Sequence, residues 1–313
     1  MADKIATRES YGKALVELGE KYDFVVLDAD LAEATKTLYF KKAFPERFFD
    51  CGIAEGNMMS VAAGIATTGK PVFASSFAMF ASGRAFEQVR NSIGYPHLNV
   101  KIGATHAGIT VGEDGATHQC NEDIALMRTI PGMTIINPAD DVEARAAVEA
   151  ALNIDGPVYM RFGRFAVPVI NDTPNYKFEV GKGVELLEGS DVTIVATGLM
   201  VHAALEAAAL LKEEGISARV INIHTIKPID KDILVKAAKE TGAIVTAEEH
   251  NIIGALGGAV AEVIGENYPV PVLRVGVEDK YGHSGKVPSL LEMYELTPAK
   301  IVKKAKEAIA LKR

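Results

Sequence analysis

The chain has 313 residues, of which 48% are hydrophobic and 24% charged, a composition typical of a soluble globular protein with room for two domains. Its formal net charge of -8 and the lack of a run of Lys and Arg argue against a nucleic-acid partner. The two cysteines lie far apart and no apolar stretch is long enough to cross a bilayer, so we expect a cytoplasmic protein without a membrane partner.

Strand-like and helix-like runs alternate through the first half of the chain. Short β-branched and aromatic runs predict strands, and segments with apolar residues at 3.6-residue spacing predict helices. Such alternation is typical of an α/β fold, in which a mostly parallel sheet carries helices on both faces. The predicted strands are 24–27, 47–49, 72–75, 100–103, 134–136 and 158–161, and the predicted helices are 7–18, 57–67, 83–92, 122–129 and 140–151.

A linker follows, and then a second alternation. Between 165 and 178 the periodicity lapses into prolines, asparagines and an aspartate, which is a linker composition. The later predicted strands are 192–196, 218–223, 244–247 and 272–277, and the predicted helices are 201–214, 231–241, 257–264 and one that begins at Thr297-Pro298. We therefore predict two α/β domains of this kind, 1–170 and 186–313, joined by a linker at 171–185.

One carboxylate, Glu55, stands at a predicted strand-to-helix corner among apolar and small residues. The apolar spacing from Asn57 onward predicts a buried helix. Removing a carboxyl group from water favours its protonated form, which is useful for proton transfer. The alternative interpretation is a glutamate that stabilises a helix N-terminus through the helix dipole.

Two glycine-rich runs resemble nucleotide-binding loops only superficially. The run from Gly64 to Lys70 is one residue short of a P-loop and is followed by Pro71, which has no hydroxyl for Mg²⁺. It also leaves a helix and enters a strand, the reverse of a P-loop, so we interpret its glycine as a helix C-cap. The run from Gly254 to Gly258 lacks dinucleotide-loop spacing and predicts a tight turn with close helix packing.

Three motifs, taken together in their order and spacing, resemble the pyrimidine-binding domain of transketolase. They are GIAEGNM at 52–58, SFAMF at 76–80 with RAFEQVR at 84–90, and THAG at 105–108 with VGEDGATHQ at 111–119. The resemblance continues through TIKPID at 225–230 and SGK at 284–286, so it covers essentially the whole chain. What the chain lacks is the first half of a full-length transketolase, which includes the diphosphate-binding domain.

The resemblance implies thiamine diphosphate as the cofactor. In transketolases the aromatic pair at the positions of Phe77 and Phe80 forms a pocket for the aminopyrimidine ring. The acid at the position of Glu55 hydrogen-bonds to a ring nitrogen and promotes loss of the thiazolium proton. A third aromatic residue of some members is Gly83 here, so we expect Phe86 or the partner chain to complete the pocket.

Three further residues are candidates for cofactor binding. By the resemblance, Asp30 matches a family aspartate near the cofactor and the subunit contact. Arg84 and Gln88 stand one helical turn apart, so they are expected to brace the same pocket or the subunit contact.

The loop from His106 to His118 is rich in glycine, which suggests backbone that approaches a ligand closely. By the resemblance, Asp114 recognises a sugar hydroxyl and His106 helps to bind the acceptor and its phosphate. His118 is implied to lie near the reacting carbonyl, and with Glu55 it is a catalytic candidate. Metal binding is the weaker interpretation because no local ligand spacing supports it, so we assign no metal ligand to this chain.

Sugar phosphates need cations, and on an acidic chain these must be local. By the resemblance, Arg8 and Arg164 match the family's phosphate-binding arginines, with Arg161 a neighbour that could be mistaken for Arg164. The family usually has a phosphate-binding serine at the place of Ala34, so we expect Thr35 to substitute for it.

The resemblance implies the C-terminal subunit of a split transketolase, which transfers a two-carbon ketol unit between ketose and aldose phosphates. The Gly-Asp-Gly motif and downstream asparagine that hold Mg²⁺ in this superfamily are missing. A separate N-terminal subunit is therefore expected to supply the Mg²⁺ ligands and the diphosphate contacts. The C-terminal domain is assigned to self-association into a dimer within a heterotetramer.

Three alternatives remain open at the level of the sequence. Deoxyxylulose-phosphate synthase shares much of the layout, but Glu113 and the Thr105-His106 pair resemble transketolase more closely. The beta subunits of 2-oxo acid dehydrogenases share the two-domain size, but their loop differs from residues 112–119. The third alternative is a non-catalytic assembly subunit that has kept the fold.

Overall fold

A computed structural model of the chain describes residues 4–174 and 176–312. Asn175, within the predicted linker, and the two ends of the predicted domains, 1–3 and 313, lie outside the described residues. The strands are β1 Lys4–Ala6, β2 Val25–Asp28, β3 Phe48–Asp50, β4 Val72–Phe77, β5 Val100–Thr105, β6 Thr134–Ile136, β7 Val158–Arg161, β8 Ala166–Pro168, β9 Val184–Leu187, β10 Val192–Ala196, β11 Ala218–Asn222, β12 Thr225–Lys227, β13 Ile244–Asn251 and β14 Val272–Val277.

Helices connect most of these strands. The α-helices are α1 Thr7–Gly19, α2 Ala32–Thr35, α3 Leu38–Ala43, α4 Glu55–Ala66, α5 Phe86–Gln88, α6 Asp123–Arg128, α7 Asp141–Leu152, α8 Met200–Glu213, α9 Lys231–Thr241, α10 Leu256–Asn267, α11 Val287–Met293 and α12 Pro298–Ala310. Short 3₁₀ turns occur at Pro45–Arg47 and Ile109–Val111, and π-helical turns at Met79–Arg84 and Val89–Gly94.

The first domain is built on a sheet of seven described strands in the order β12-β6-β7-β5-β4-β2-β3. All neighbours in it are parallel except β12 with β6. The middle strands β4 and β5 are completely buried because helices cover both faces. Their carboxyl ends, at Phe77 and Thr105, therefore meet at one edge of the sheet, where ligands of open α/β sheets bind.

The second domain has a five-stranded sheet in the order β14-β13-β10-β11-β9, parallel except for β9. The predicted fold class, two domains with mostly parallel sheets and helices on both faces, is confirmed. The domain boundaries at 170 and 186 stay a prediction. One strand crosses these predicted boundaries: β12, from the second half of the chain, pairs with β6 of the first sheet, with Thr225 opposite Ile136.

The predicted elements agree with the structure best where an apolar run is isolated. Strands 134–136, 158–161, 192–196 and 272–277 and helix 231–241 have the predicted bounds. The single helix predicted at 83–92 is wrong, because this stretch is two π-helical turns flanking the short α5. The stretch of linker composition at 165–178 contains β8, which pairs with β1, and β9 begins at Val184 within the predicted linker 171–185.

The interpretation of Gly254–Gly258 holds in the structure, whereas the C-cap of α4 is Thr67 and Gly69 lies two residues beyond it. Gly69 follows α4 with φ +86°, in the left-handed region that a glycine after a helix often adopts. Gly254 has φ +83° in the turn before α10, and a Cβ on Gly257 would press on the side chain of Arg274. Within the described residues, no helix is both long and apolar enough to span a bilayer.

Candidate active site

Glu55 is the first residue of α4, and its side chain is 1% exposed. Positive φ at Gly52 turns the chain sharply between the end of β3 and this helix. The carboxylate thereby forms part of the wall of a cleft of about 340 Å³. The cleft is lined by Ala29, Asp30, Leu31, Ile53, Glu55, Phe80, Arg84, Thr117 and His118.

The Glu55 carboxylate has a cationic partner, which the argument from an apolar corner did not include. Nη1 of Arg84 donates to both carboxylate oxygens, at 3.1 Å and 2.9 Å. The guanidinium also lies over the ring of Phe80, with its Cζ 4.5 Å from the ring centroid. Because the Arg84 side chain is 53% exposed, it covers the acid from the solvent side of the cleft.

A π-helical turn sets the positions of these two side chains. The turn covers Met79–Arg84 and immediately follows β4, the strand that ends at Phe77. π-Helical turns are rare and are often found at functional sites. This turn presents Phe80 and Arg84 to the same cleft. Phe86, expected to complete the pocket, instead packs against the hydrophobic core.

The aromatic pair does not present two free faces. Phe77 and Phe80 stack with ring centroids 5.8 Å apart, and Phe77 is only 6% exposed. The imidazole of His106 stacks on Phe77 at 3.8 Å, whereas His118 meets Phe80 edge-on at 5.3 Å. Phe80 and His118 therefore line the cleft, and Phe77 packs behind them, outside the lining.

His106 is a buried, neutral link between the aromatic pair and Arg8. Burial, reinforced by the charges of Arg8 and Arg164, lowers the pKa of His106 to about 3. Arg8 Nη1 donates to its Nε2 at 3.2 Å, so the neutral ring carries its proton on Nδ1, which donates to Thr105 Oγ1 at 2.9 Å. Both ring nitrogens are thus occupied, and the side chain is 2% exposed.

The two predicted phosphate-binding arginines lie close enough to influence each other. Their mutual repulsion contributes to lowering the pKa of Arg8, although burial is the larger cause. Arg8 Nη1 donates to the carbonyl of Ala34 at 2.9 Å, and its buried Nε has no partner among the described residues. Arg164 donates to the carbonyl of Val111 and lies 3.5 Å from Glu113.

The structure separates Arg161 from Arg164. Arg161 is 4% exposed, and its Nε donates to Asp123 Oδ2 at 2.8 Å. Its Nη2 donates to the carbonyl of Glu249 at 2.9 Å, so this arginine joins the two domains. Arg164, with a side chain that is 38% exposed, is the one of the pair that a ligand can reach.

Thr35 is not brought to the cleft. Its side chain is fully buried and its hydroxyl donates to Asp28 Oδ2 at 2.7 Å, as does the hydroxyl of Thr37 at 2.8 Å. Asp28 also accepts from the Leu31 amide at 2.6 Å, and burial raises its pKa to about 6. The sequence reasoning missed Asp28 as the residue that orders this loop; the two nearby threonines are the signal that could have found it.

The other predicted residues surround the cleft in different ways. Asp30 lines it with an exposed side chain and a φ of +62°, and its amide donates to Asp50 Oδ1 at 3.1 Å. Gln88 packs over the backbone of Gly56 beside the acid, so it braces the start of α4. Asp114 is exposed on the loop before His118.

The glycine-rich loop approaches protein rather than open space at two of its glycines. Gly108 and Gly115 both have φ +75°, and a Cβ would collide with the Glu249 carboxylate at Gly108 and with the Ser284 hydroxyl at Gly115. At these two glycines the close neighbour on the Cβ side is the second domain, and the approach of this backbone to a ligand stays a prediction. Among residues 4–174 and 176–312, no cluster of three His, Cys, Asp or Glu side chains could hold a metal ion.

The comparisons with known proteins agree with this geometry. Residues 3–169 match the family model described as transketolase, pyrimidine binding domain, and residues 181–301 match that described as transketolase, C-terminal domain. The chain belongs to the transketolase family. Membership of this family implies binding of thiamine diphosphate.

Several members of the transketolase family match this chain over nearly their whole length. A protein from Methanocaldococcus jannaschii, named as a transketolase C-terminal section, is 53% identical and covers 96% of this chain and 95% of its own length. A 6-deoxy-6-sulfo-D-fructose transketolase subunit from a Clostridium species is 47% identical, over 96% and 93%. A solved structure described as a split gene transketolase, inactive beta4 tetramer, has a TM-score of 0.92 and 58% identity, covering 99% of this chain and all of that one.

Proposed function

We propose that the chain is the C-terminal subunit of a two-subunit, thiamine-diphosphate-dependent transketolase. It would transfer a two-carbon ketol unit between ketose and aldose phosphates. The observation that carries this proposal is the position of Glu55, a buried acid in the wall of a cleft that Phe80 and His118 also line. Such a cleft combines an aromatic surface with a buried acid, which suits a flat heterocycle with basic nitrogens.

The residues of the cleft fit the aminopyrimidine half of the cofactor. Phe80, which stacks on Phe77, would form the aromatic wall for the ring. Glu55, in the lining of the same cleft, would provide a carboxyl oxygen to hydrogen-bond with it. When bound, thiamine diphosphate supplies the nucleophilic carbon and the electron sink that ketol transfer needs. Glu55 would accept or share a hydrogen bond with a ring nitrogen of the aminopyrimidine, and Arg84, which donates to both of its carboxylate oxygens, would hold the acid in place.

The remaining candidates are proposed to bind the sugar phosphate. Arg8, with its buried and unpartnered Nε among the described residues, and Arg164 would hold the phosphate. His106 would act through Arg8, which it contacts directly, and Asp114 would accept a hydrogen bond from a sugar hydroxyl. His118, on the cleft wall, would lie at the reacting carbonyl. Thr35 is left out because its hydroxyl is committed to Asp28.

The proposal includes a partner. An N-terminal transketolase subunit would supply the diphosphate contacts and the Mg²⁺ ligands, and two copies of each chain would form a heterotetramer in the cytoplasm. Two observations support it. The relatives described above are named as a section and a subunit, and the similar solved structure contains one kind of chain and is described as inactive.

Mixing experiments test this function directly. The purified chain, a purified N-terminal subunit, thiamine diphosphate and Mg²⁺ should together transfer a ketol unit from xylulose phosphate to an aldose phosphate, whereas neither chain does so alone. Full activity from this chain by itself would refute the two-subunit proposal. Use of pyruvate instead of xylulose phosphate as donor would indicate a deoxyxylulose-phosphate synthase or an oxo acid dehydrogenase subunit.

A further inference from the structure

The loop that carries Asp114 and His118 is held by hydrogen bonds to the second domain. Its first turn, the 3₁₀ turn at Ile109–Val111, is completely buried. The amide of Thr110 donates to Oε1 of Glu249 at 2.7 Å, across the boundary between the domains. Glu249 belongs to β13 and is 4% exposed. A buried carboxylate thus fixes the start of a loop whose far end lines the cleft.

The backbone of Glu249 is itself held from the first domain. Arg161 donates to the main-chain carbonyl of Glu249 at 2.9 Å and to the carbonyl of Cys120, the residue after the loop, at 3.3 Å. Cys120 in turn accepts from the amide of Gly108 at 2.8 Å, which closes the base of the loop. Positive φ and the lack of a Cβ let Gly108 lie directly against the Glu249 carboxylate.

A second contact with the same domain holds the loop's end. Gln119 Nε2 donates to the carbonyl of His283 at 2.9 Å and to that of Ile109 at 3.0 Å. The loop is therefore hydrogen-bonded to the second domain at both ends. The Glu249 carboxylate of β13 accepts at its start, and the Gln119 amide donates to the segment before α11 at its end. Of these two ties, only the one at Glu249 uses an ionisable side chain.

We infer that Glu249 is a positioning residue for the substrate side of the cleft, acting through the amide of Thr110 on the loop that presents Asp114 and His118. This inference rests on the proposed function, because it assigns the second domain a part in substrate binding in addition to assembly. Without the acceptor, the buried Thr110 amide loses its partner and the loop must shift to satisfy it. Displacement of a substrate-binding group by even about 1 Å costs affinity and rate.

The adjacent Glu248 provides a matched control. It is equally buried, at 1% exposed, and its carboxylate oxygens accept from the amides of Leu256 and Gly257, both at 2.8 Å. Those donors begin α10 within the second domain itself. Glu248→Ala therefore removes the same side chain from the same strand without touching the loop.

Kinetics of the complex reconstituted with the N-terminal subunit test the inference. Glu249→Ala should raise the KM for the sugar phosphates about tenfold, the effect of losing roughly one hydrogen bond. Glu249→Gln keeps an acceptor oxygen and should stay within about twofold of the wild-type KM, as should Glu248→Ala. Loss of folded protein lowers only the apparent kcat. A wild-type KM for Glu249→Ala, or an equal increase for Glu248→Ala, would overturn the inference.

Hydrogen exchange of the full chain gives a readout that does not depend on turnover. Peptides that cover 106–119 should exchange faster in Glu249→Ala and at the wild-type rate in Glu248→Ala. If Glu249→Ala does not fold, Glu249→Asp, which withdraws the oxygens by one methylene, decides the question: faster exchange of this loop supports the inference and unchanged exchange contradicts it. Should the wild-type complex show no ketol transfer, the proposed function fails while this comparison still tests the inference.

Discussion

Two arginine–carboxylate pairs in the first domain share a buried carboxylate and differ in the exposure of the arginine. Arg84 binds Glu55, which is 1% exposed, at 2.9 Å with the arginine side chain 53% exposed, and Arg161 binds Asp123 at 2.8 Å with both side chains almost completely buried. Release of Arg84 would leave one buried charge, because its guanidinium already lies half in solvent. Release of Arg161 would leave two charges inside the protein. The first pair is therefore open to solvent on its arginine side, in the cleft, and the second is enclosed beside the contact of Arg161 with the second domain.

The largest effect is expected from replacing Glu55, the acid paired with Arg84. Glu55→Gln should lower turnover of the reconstituted complex on the order of 10³-fold, because an amide cannot hold and return the proton. Assembly and unfolding midpoint should stay near the wild-type values. Glu87→Gln, at an exposed acid of α5, is the control. Retained turnover in Glu55→Gln would favour the non-catalytic assembly subunit.

The contrast between the pairs can be measured as stability. Arg161→Met should cost about 3–5 kcal/mol of unfolding free energy, because it leaves Asp123 buried without its cation. Arg84→Met should cost less than Arg161→Met, because the guanidinium that it removes is half exposed and Glu55 lines the cleft. Urea denaturation of the two variants gives both values. Equal losses would break the distinction drawn here.

A third arginine, Arg164, tests the proposed phosphate binding. Arg164→Met should raise the KM for phosphorylated acceptors about 10- to 100-fold, the usual effect of losing a charged hydrogen bond. An acceptor without phosphate, such as glycolaldehyde, is the matched control and should be unaffected. An equal loss with both acceptors would show that Arg164 does not bind phosphate.

The remaining effect concerns pH. The pKa of His106 falls to about 3 in the folded chain, so between about 3 and 6.5 only the unfolded chain takes up this proton. Stability should therefore decrease as the pH falls through this range. His106→Asn, which tolerates the positive φ of this position, should make the decrease shallower by up to about 1.4 kcal/mol per pH unit. Unfolding free energies at several pH values measure the slope, and an unchanged slope would contradict a buried neutral imidazole.

Several buried carboxyl groups act in the opposite direction and leave this test intact. Burial raises the pKa of Asp28 to about 6 and that of Glu143 and Glu248 to about 7, and it raises the pKa of Glu249 as well, so the stability that these groups contribute is lost as the pH rises through their pKa values. All of them remain in the His106→Asn variant. The difference between the two chains therefore reports on the imidazole.

The sequence predicted what short-range patterns determine. Isolated apolar runs defined β6, β7, β10 and β14, and the corner at Glu55 followed from a strand end and a helical period. The residues that line the cleft came from motif resemblance, and the structure brings Asp30, Glu55, Phe80, Arg84 and His118 together.

The rest depended on contacts between residues far apart in sequence. Spacing could not separate Arg161 from Arg164, because only burial beside Asp123 distinguishes them. The partner of Gly108 was equally hidden, since Glu249 lies 141 positions further along the printed chain. A π-helical period also differs from 3.6, so an apolar pattern searched at that spacing misplaces the turn that presents Phe80.

Strand β12 makes the two halves a single mechanical unit. A protease that cuts within 171–185 should leave a nicked protein that migrates as one particle. Strand Thr225–Lys227 remains hydrogen-bonded to the edge of the first sheet, and one hydrophobic core contains residues of both halves. Residues 4–170 produced alone would present the bare edge of β6 to solvent and tend to aggregate. Shortening this subunit to its cofactor-binding half would thus sacrifice the solubility of that half.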